Sequence, residues 1–431
     1  MHANVITLIA ICSIVRGFHL RMPGSNSVIH ADVEVGSDTY FTLPLIRHKL
    51  VQQVQSANDE LQRNLNHLSK NEVNVTRGIL VYIPIRDEKF LDELKWLYLS
   101  IGVMRISQPL NVKTDLLIFT PPANVEKMSK DLGCRPSVRE GFACPEGCIV
   151  LPHVPLTERS ISLESDLQYV LKNYSGVIDS VLILSEFMYA DNYTYLMRTD
   201  LDTFFTPGFG AFHLPPSAGI AVGTGGYWSH NAALRLQWIA EKKLGLKYNR
   251  YENVGSTWYG RSKALVSLGK LSISIMEWLT SQEFSEFESL QISGTDGWPH
   301  WYKPVLSMYA GDIAINQVPH ESLRRSSVVG GTVNFDFSAC DSHRILDSTV
   351  QHLHVFQYQD NFSKLKFHAG FYHELNLTPF LAMKTPPEYA TVIAISSSRM
   401  NLTELASVIS SPIGLKDKNW IKVCPRNKAD C

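Results

Sequence analysis

Apolar and polar residues alternate along the chain in two rhythms. Between Leu45 and about Lys70, Leu50, Val54, Leu61, Leu65 and Leu68 recur at spacings of four, seven, four and three, which predicts a helix with one apolar stripe. The stripe lasts too few heptads for a coiled coil and reads as a packed helix or a stem. Further on the apolar runs become continuous. "GILVYIPIRD", residues 78–87, has the length and composition of a strand buried on both faces and ends at Pro84 and a polar pair. Asp87 is placed to cap the next helix, "EKFLDELKWLYLSIGVMR". "TDLLIFTPP", 114–122, predicts a second strand, "NVEKMSKDLG" a short helix closed by Gly133, and "CIVLPHV" a third strand. "ERSISLESDLQYVLKNY" reads as a helix, "SAGIAVGTGGYW", 217–228, as a strand with a glycine-rich turn, and "PPEYATVIAISSSRM", after residue 385, as a further strand. Strands alternating with helices predict an α/β fold with a mostly parallel central sheet wrapped on both faces. Ligands of such sheets sit outside the carboxyl ends of the strands, which brings Pro84, Arg86, Thr120 and the 198–202 segment around one crevice.

Composition narrows the class. With 431 residues, 45% apolar and 19% charged, the chain can bury a sizeable core, and a net charge of −1 offers nothing to nucleic acid. "NVITLIAICSIV", residues 4–15, is too short for a comfortable membrane span and resembles a signal-peptide h-region or a short anchor, although no Lys or Arg precedes it. Asn-x-Ser/Thr sequons at Asn74, Asn173, Asn192, Asn361, Asn376 and Asn401 agree with a secretory route, and some arise by chance in so short a pattern. If Cys12 leaves with the leader, Cys134, Cys144, Cys148, Cys340, Cys424 and Cys431 remain, an even set that favours disulfides of undetermined pairing. Cys144 and Cys148 also have the look of a zinc half-site, without a second pair nearby.

The candidate chemistry lies in "YLMRTDLDTFFTPGF", 195–209, where an apolar strand runs into Asp200-Leu201-Asp202 before Pro207-Gly208 breaks the chain. Residues i and i+2 of a strand share a face, about 7 Å apart, and come closer if the strand ends there. Two carboxylates facing one crevice repel, and a cation or a proton relieves them. Mg²⁺ and Mn²⁺ accept such oxygen ligands and keep positions open for phosphate oxygens. Arg198 adds a guanidinium for a phosphate or ribose. The plain alternative is a capped turn.

"YLMRTDLDTFF" resembles the DxD segment of GT-A-type glycosyltransferases, and in particular a eukaryotic group placed with the nucleotide-diphospho-sugar transferases; the likeness spans roughly residues 78–385. It implies that Asp200 and Asp202 hold Mn²⁺ (or Mg²⁺) on a donor diphosphate and that the 82–86 strand end, with Pro84 and Arg86, meets the nucleotide. It also asks for a C-terminal His near a Gly. In "QHLHVFQYQDNFSKLKFHAGFYHEL", 351–375, His368 beside Gly370 fits best as third metal ligand, although the family's commoner spacing is His-x-x-Gly. Lys364 and Lys366 are then candidates for the diphosphate. Any of these histidines has ordinary structural use as its alternative.

The acceptor side is less defined. Gly294-Thr295-Asp296-Gly297 is a turn signal followed by Trp298, His300, Trp301 and Tyr302, rings that suit sugars or ordinary packing. An inverting transferase needs a carboxylate base, for which Asp296 is the candidate and Asp312 the rival. The expected organisation is a signal or anchor at 1–17, a stem at 18–77, a nucleotide-sugar-binding half at 78–215, an acceptor-binding and catalytic half at 216–385, and a cysteine-bearing extension at 386–431. The expected activity is transfer of a sugar from a nucleotide-diphospho-sugar to a glycan, protein or lipid hydroxyl in the Golgi or endoplasmic-reticulum lumen, or outside the cell. Two rivals stand beside it: a phosphoester hydrolase with two metals on Asp200, Asp202, His352 and His354, and a non-catalytic glycan binder of the same fold.

Overall fold

A computed structural model describes residues 39–66, 74–84, 88–136, 147–159, 176–215, 217–225, 230–251, 253–284, 301, 305–325, 337–339, 343, 345–355, 362–411, 415–416 and 421. Contacts divide the chain into two units, 1–50 and 51–431. Of the first, only the opening of the helix Thr39–Asn66 is described. The N-terminal leader, Arg86, the 158–174 helix beyond Arg159, Asp296 and the cysteines other than Cys134 and Cys148 lie outside the described residues. Among the described residues no helix is long and apolar enough to cross a membrane.

The second unit is built on a seven-stranded sheet. Its strands are β1 (Val75–Tyr82), β2 (Val112–Thr120), β3 (Cys148–Pro152), β4 (Tyr195–Arg198), β6 (Ile220–Thr224), β7 (Val254–Arg261) and β8 (Leu323–Arg325), in the order β3-β2-β1-β4-β7-β6-β8. β3, β2, β1 and β4 are mutually parallel, β7 runs against both β4 and β6, and β8 is parallel to β6, so every strand but β7 points one way. One sheet thus takes strands from both the 78–215 and the 216–385 stretches. A second, small sheet joins β5 (Thr203–Phe205), β9 (Phe337–Ser338) and β10 (His352–His354) in the order β5-β10-β9.

The apolar run of β1 follows from burial on both faces. Ile79 and Val81 join one core with Leu116, Ile118, Val150 and Met197, against the helix Glu88–Arg105. Leu80, Leu117 and Leu196 are equally buried and alternate to the other face. Each full burial contributes roughly 1.5–3 kcal/mol. On β7, Trp258 meets the helix Leu306–Ile315, where a Cβ on Gly311 would fall 2.6 Å from its Cζ2; only glycine lets the helix lie so close. The helix Ser262–Gln282 packs on that helix and on β7.

Several local expectations hold to the residue. The helix Glu88–Arg105 spans the predicted segment, and Val125–Leu132 ends on Gly133 with φ +63°. Val54, Leu61 and Leu65 of the stripe are buried. Two expectations need correction. "PPEYATVIAISSS" is a helix, Pro386–Ser398, with the prolines in its first turn, where a missing N–H costs nothing. Thirteen apolar-rich residues exceed strand length, and the run was ambiguous by periodicity alone. Pro207-Gly208 does not break the chain; it opens a short helix, Pro207–Ala211, whose N-cap Thr206 accepts from the Gly208 N–H. Buried Arg77 of β1 donates to the Phe209 and Phe212 carbonyls near that helix's end. Cys148, the outer half of the zinc-like pair, is disulfide-bonded to Cys134.

Candidate metal centre

β1, β2 and β3 step across the sheet in one direction, while β4 lies on the other side of β1. The chain order therefore reverses between β1 and β4, and such a switch point opens a crevice at the carboxyl ends of the strands. β4 stops at Arg198, so Asp200 and Asp202 stand just past it, in the turn leading to β5. The turn is pinned from inside. Leu201 is buried, and its carbonyl accepts from Trp96 Nε1 at 3.0 Å. Thr203 Oγ1 donates to the Asp200 carbonyl at 2.8 Å. Thr199 Oγ1 lies 3.0 Å from Thr257 Oγ1 and 3.1 Å from His352 Nε2. With the middle residue locked in the core, the flanking carboxylates project together, which a regular strand would leave at strand spacing.

The third member arrives from about 150 residues away. β10 pairs antiparallel with β5, setting His354 opposite Thr203, and the Val355 N–H donates to the Asp202 carbonyl at 3.0 Å. His354 Nε2 is then 3.4 Å from Asp202 Oδ1. One ligand atom each of Asp200, Asp202 and His354 lies within 4.8 Å of the others. Two carboxylate oxygens and an imidazole nitrogen are the donor set that Mn²⁺ accepts, so the residues fit a divalent metal.

Cationic side chains also pair with both carboxylates. Arg198, buried, is ion-paired with Asp200 Oδ1 at 3.0 Å and donates to Ser180 and the Ser256 carbonyl. Lys364 Nζ is 2.5 Å from Asp202 Oδ2 and 3.9 Å from Glu93 Oε1. Burial works against the Asp202 anion, but His354 and Lys364 outweigh it and hold its pKa below the ordinary carboxylate value. Burial likewise opposes the Lys364 ammonium, and Asp202 and Glu93 raise its pKa above that of an ordinary lysine. Burial pushes the Glu93 carboxyl up, against its hydrogen bond from His368.

The other nominated residues fall in different places. His368 is outside the metal group, with Nε2 3.0 Å from Glu93 Oε1. Gly370 follows the helix Lys364–His368 with φ +83°, and Lys366 points to solvent. Pro84 lines a crevice of about 460 Å³ with Tyr82, Pro121, Asn124, Pro155 and Glu158, beyond the carboxyl ends of β1, β2 and β3. Thr120 is buried at the end of β2. Asp312 is buried and accepts from Tyr248 Oη at 2.6 Å and from Asn316. Trp301 stacks on Phe284 and Tyr309, with centroids 5.3 and 4.4 Å away, so packed rings occupy its faces. A cavity of about 570 Å³ lined by Val103, Pro207, Met383 and Tyr389 touches none of the nominated residues.

Two participants escaped sequence reasoning as site residues in their own right. His354 was grouped with His352 only for a two-metal site, and the alternation in His352-Leu353-His354-Val355 was its signal. Glu93 had a fainter one: it falls on the apolar stripe of its helix, three residues after Phe90 and four before Leu97.

The fold and site together define an α/β protein with a mostly parallel sheet and an Asp-Asp-His group suited to a metal at the sheet's switch point. The model of the domain of unknown function DUF7164 matches residues 71–421, and the chain belongs to that family. No curated protein matches the chain. Among solved structures, mouse xyloside xylosyltransferase 1 in its apo form is similar at 12% identity and a TM-score of 0.34, covering 58% of this chain and 85% of that one. The WbbM bifunctional glycosyltransferase, also apo, is similar at 11% identity and a TM-score of 0.29, covering 49% of this chain and 35% of its own. Both neighbours are glycosyltransferases, at TM-scores too low for the likeness to bear on mechanism.

Proposed function

We infer that the chain is a metal-dependent glycosyltransferase that moves a sugar from a nucleotide-diphospho-sugar to a hydroxyl acceptor. The observation that carries this reading is the convergence of Asp200, Asp202 and His354 within 4.8 Å at the switch point of the sheet. A divalent ion held there would supply charge neutralisation for a departing diphosphate. Asp200 and Asp202 would hold it through carboxylate oxygens and His354 through Nε2, so His354 replaces His368 as the proposed third ligand. Arg198 orients Asp200, and Lys364 brings a cation to the same spot. The crevice of Tyr82, Pro84, Pro121 and Asn124, at the neighbouring strand ends, is the seat we assign to the nucleoside. Asp296 remains the proposed base for the acceptor, because Asp312 is engaged in the core by Tyr248 and Asn316. The secretory route inferred from the N-terminal run and the sequons completes the proposal.

A two-metal phosphoester hydrolase would need His352 beside His354 as a ligand. His352 is fully buried, and its Nε2 faces Thr199. Among the described residues a single group suited to a metal forms.

The test is thermal unfolding with UDP- and GDP-sugars, with and without Mn²⁺. A donor at 100 times its Kd stabilises by about 2.7 kcal/mol. The expected result is stabilisation only when Mn²⁺ is present, lost in Asp202→Ala. Equal stabilisation without Mn²⁺ refutes metal-dependent donor binding. Turnover of a simple phosphoester in place of a donor response supports the hydrolase, and a response to free glycan alone supports the binder.

A further inference from the structure

The one-turn helix Lys364–His368 presents its first and last residues to the same buried carboxylate. His368 Nε2 lies 3.0 Å from Glu93 Oε1, and Lys364 Nζ is 3.9 Å from that same oxygen. Residues i and i+4 share a helix face, so seating His368 on Glu93 also determines where the Lys364 side chain starts. Trp96, one turn along from Glu93, braces the helix through Phe367 at a centroid distance of 5.1 Å. Lys364 Nζ reaches in the other direction to Asp202 Oδ2 at 2.5 Å. One ammonium therefore stands between two carboxylates. The negative groups acting on it are Asp202, Glu93 and Asp200, and of these Glu93 stands outside the metal group.

We propose that Glu93 is a positioning residue that sets metal affinity by offering Lys364 a second seat. Without metal, Lys364 pairs with Asp202; on metal loading, it passes to Glu93. The inference rests on the metal reading above. Two positive charges on one carboxylate repel, so Lys364 competes with any dication at Asp202 unless it can leave. Glu93 gives it somewhere to go: a movement of about 1 Å brings Nζ into charge-assisted hydrogen-bond range of Oε1. With Glu93 neutralised, the ammonium stays on Asp202 and binding weakens. With Lys364 removed, the competition ends and Glu93 no longer matters.

The experiment is a Mn²⁺ titration of the full chain, following the electron paramagnetic resonance signal of free Mn²⁺, in a double-mutant cycle. Glu93→Gln is expected to weaken binding about 10-fold, within the range that outer partners command. Lys364→Met is expected to tighten binding, and the double variant to match Lys364→Met within about 2-fold. Equal weakening by Glu93→Gln in both backgrounds shows an anchoring role alone and overturns the proposal, as does weaker binding by Lys364→Met. Should Glu93→Gln melt early, Glu93→Asp, which keeps the charge but withdraws it, is expected to give an intermediate loss that again disappears with Lys364→Met; a loss that persists there overturns the proposal. Absence of Mn²⁺ binding in the unmutated chain, or binding indifferent to Asp202→Asn, overturns the metal site and this inference with it. Binding that needs Asp202 but shows no coupling between Glu93 and Lys364 overturns this inference alone.

Discussion

The seven-stranded and the three-stranded sheets are held in different ways. β1 and β2 are eight and nine residues long, almost wholly buried, and lie close together in the chain. β5, β9 and β10 are three, two and three residues long and come from residues 203, 337 and 352 onwards. Strands that short do not persist by their own pairing. β5 is held from outside: the Phe205 N–H donates to Ser100 Oγ at 3.0 Å, and Tyr389 Oη donates to the Phe205 carbonyl at 2.7 Å. The helix Glu88–Arg105 and the helix Pro386–Ser398 packed on it thus clamp the small sheet, which carries the register that sets His354 beside Asp202. The long buried strands lie in the first sheet, and the candidate metal group lies at the edge of the second.

That division can be broken by experiment. Ile79→Ala, at the centre of β1, is expected to cost about 2–5 kcal/mol in urea unfolding while leaving Mn²⁺ affinity of the folded protein unchanged. Loss of affinity before loss of fold would show that the two sheets are not separable. His354→Ala should do the reverse, lowering Mn²⁺ affinity by at least the 10–100-fold that even outer partners command. A cost in urea unfolding similar to that of Ile79→Ala would make His354 a core residue instead of a ligand. The smallest effect is in pH dependence. Asp202 has a depressed pKa, so its contribution is present above the ordinary Asp value of about 3.9 and fades as pH falls through the lower, folded value. Lys364 has a raised pKa, so its contribution is present below about 10.4 and fades as pH rises through the higher, folded value. The stability that the Asp202–Lys364 pair gives the unmutated chain over Lys364→Met should therefore fade at both extremes of pH, as Asp202 takes up a proton and as Lys364 loses one. A difference that persists undiminished at both extremes would contradict the pair.

Legibility in the sequence follows the same division. β1, the helix Glu88–Arg105, β2 and the helix Val125–Leu132 could be read because each is long and declares its burial by local periodicity. The run after Thr385 could not be typed, since a helix buried nearly all round loses the amphipathic signal that separates helix from strand. Asp200 and Asp202 were legible as a pair because they are neighbours in the chain. His354 was not legible as their partner, because nothing local records that β10 pairs with β5. His368 drew the role by sitting beside a glycine, and the fold seats it on Glu93.

By itself, the amino-acid order determined the α/β class, the strands that form the floor of the crevice and the two carboxylates at its edge. Hydrophobic burial and spacing along one segment are enough for those. The tertiary structure alone decided which histidine joins the carboxylates, which lysine stands against them and which buried glutamate faces that lysine. Such meetings depend on strand register and helix packing between segments far apart in the chain, and no local pattern encodes a distance across the fold.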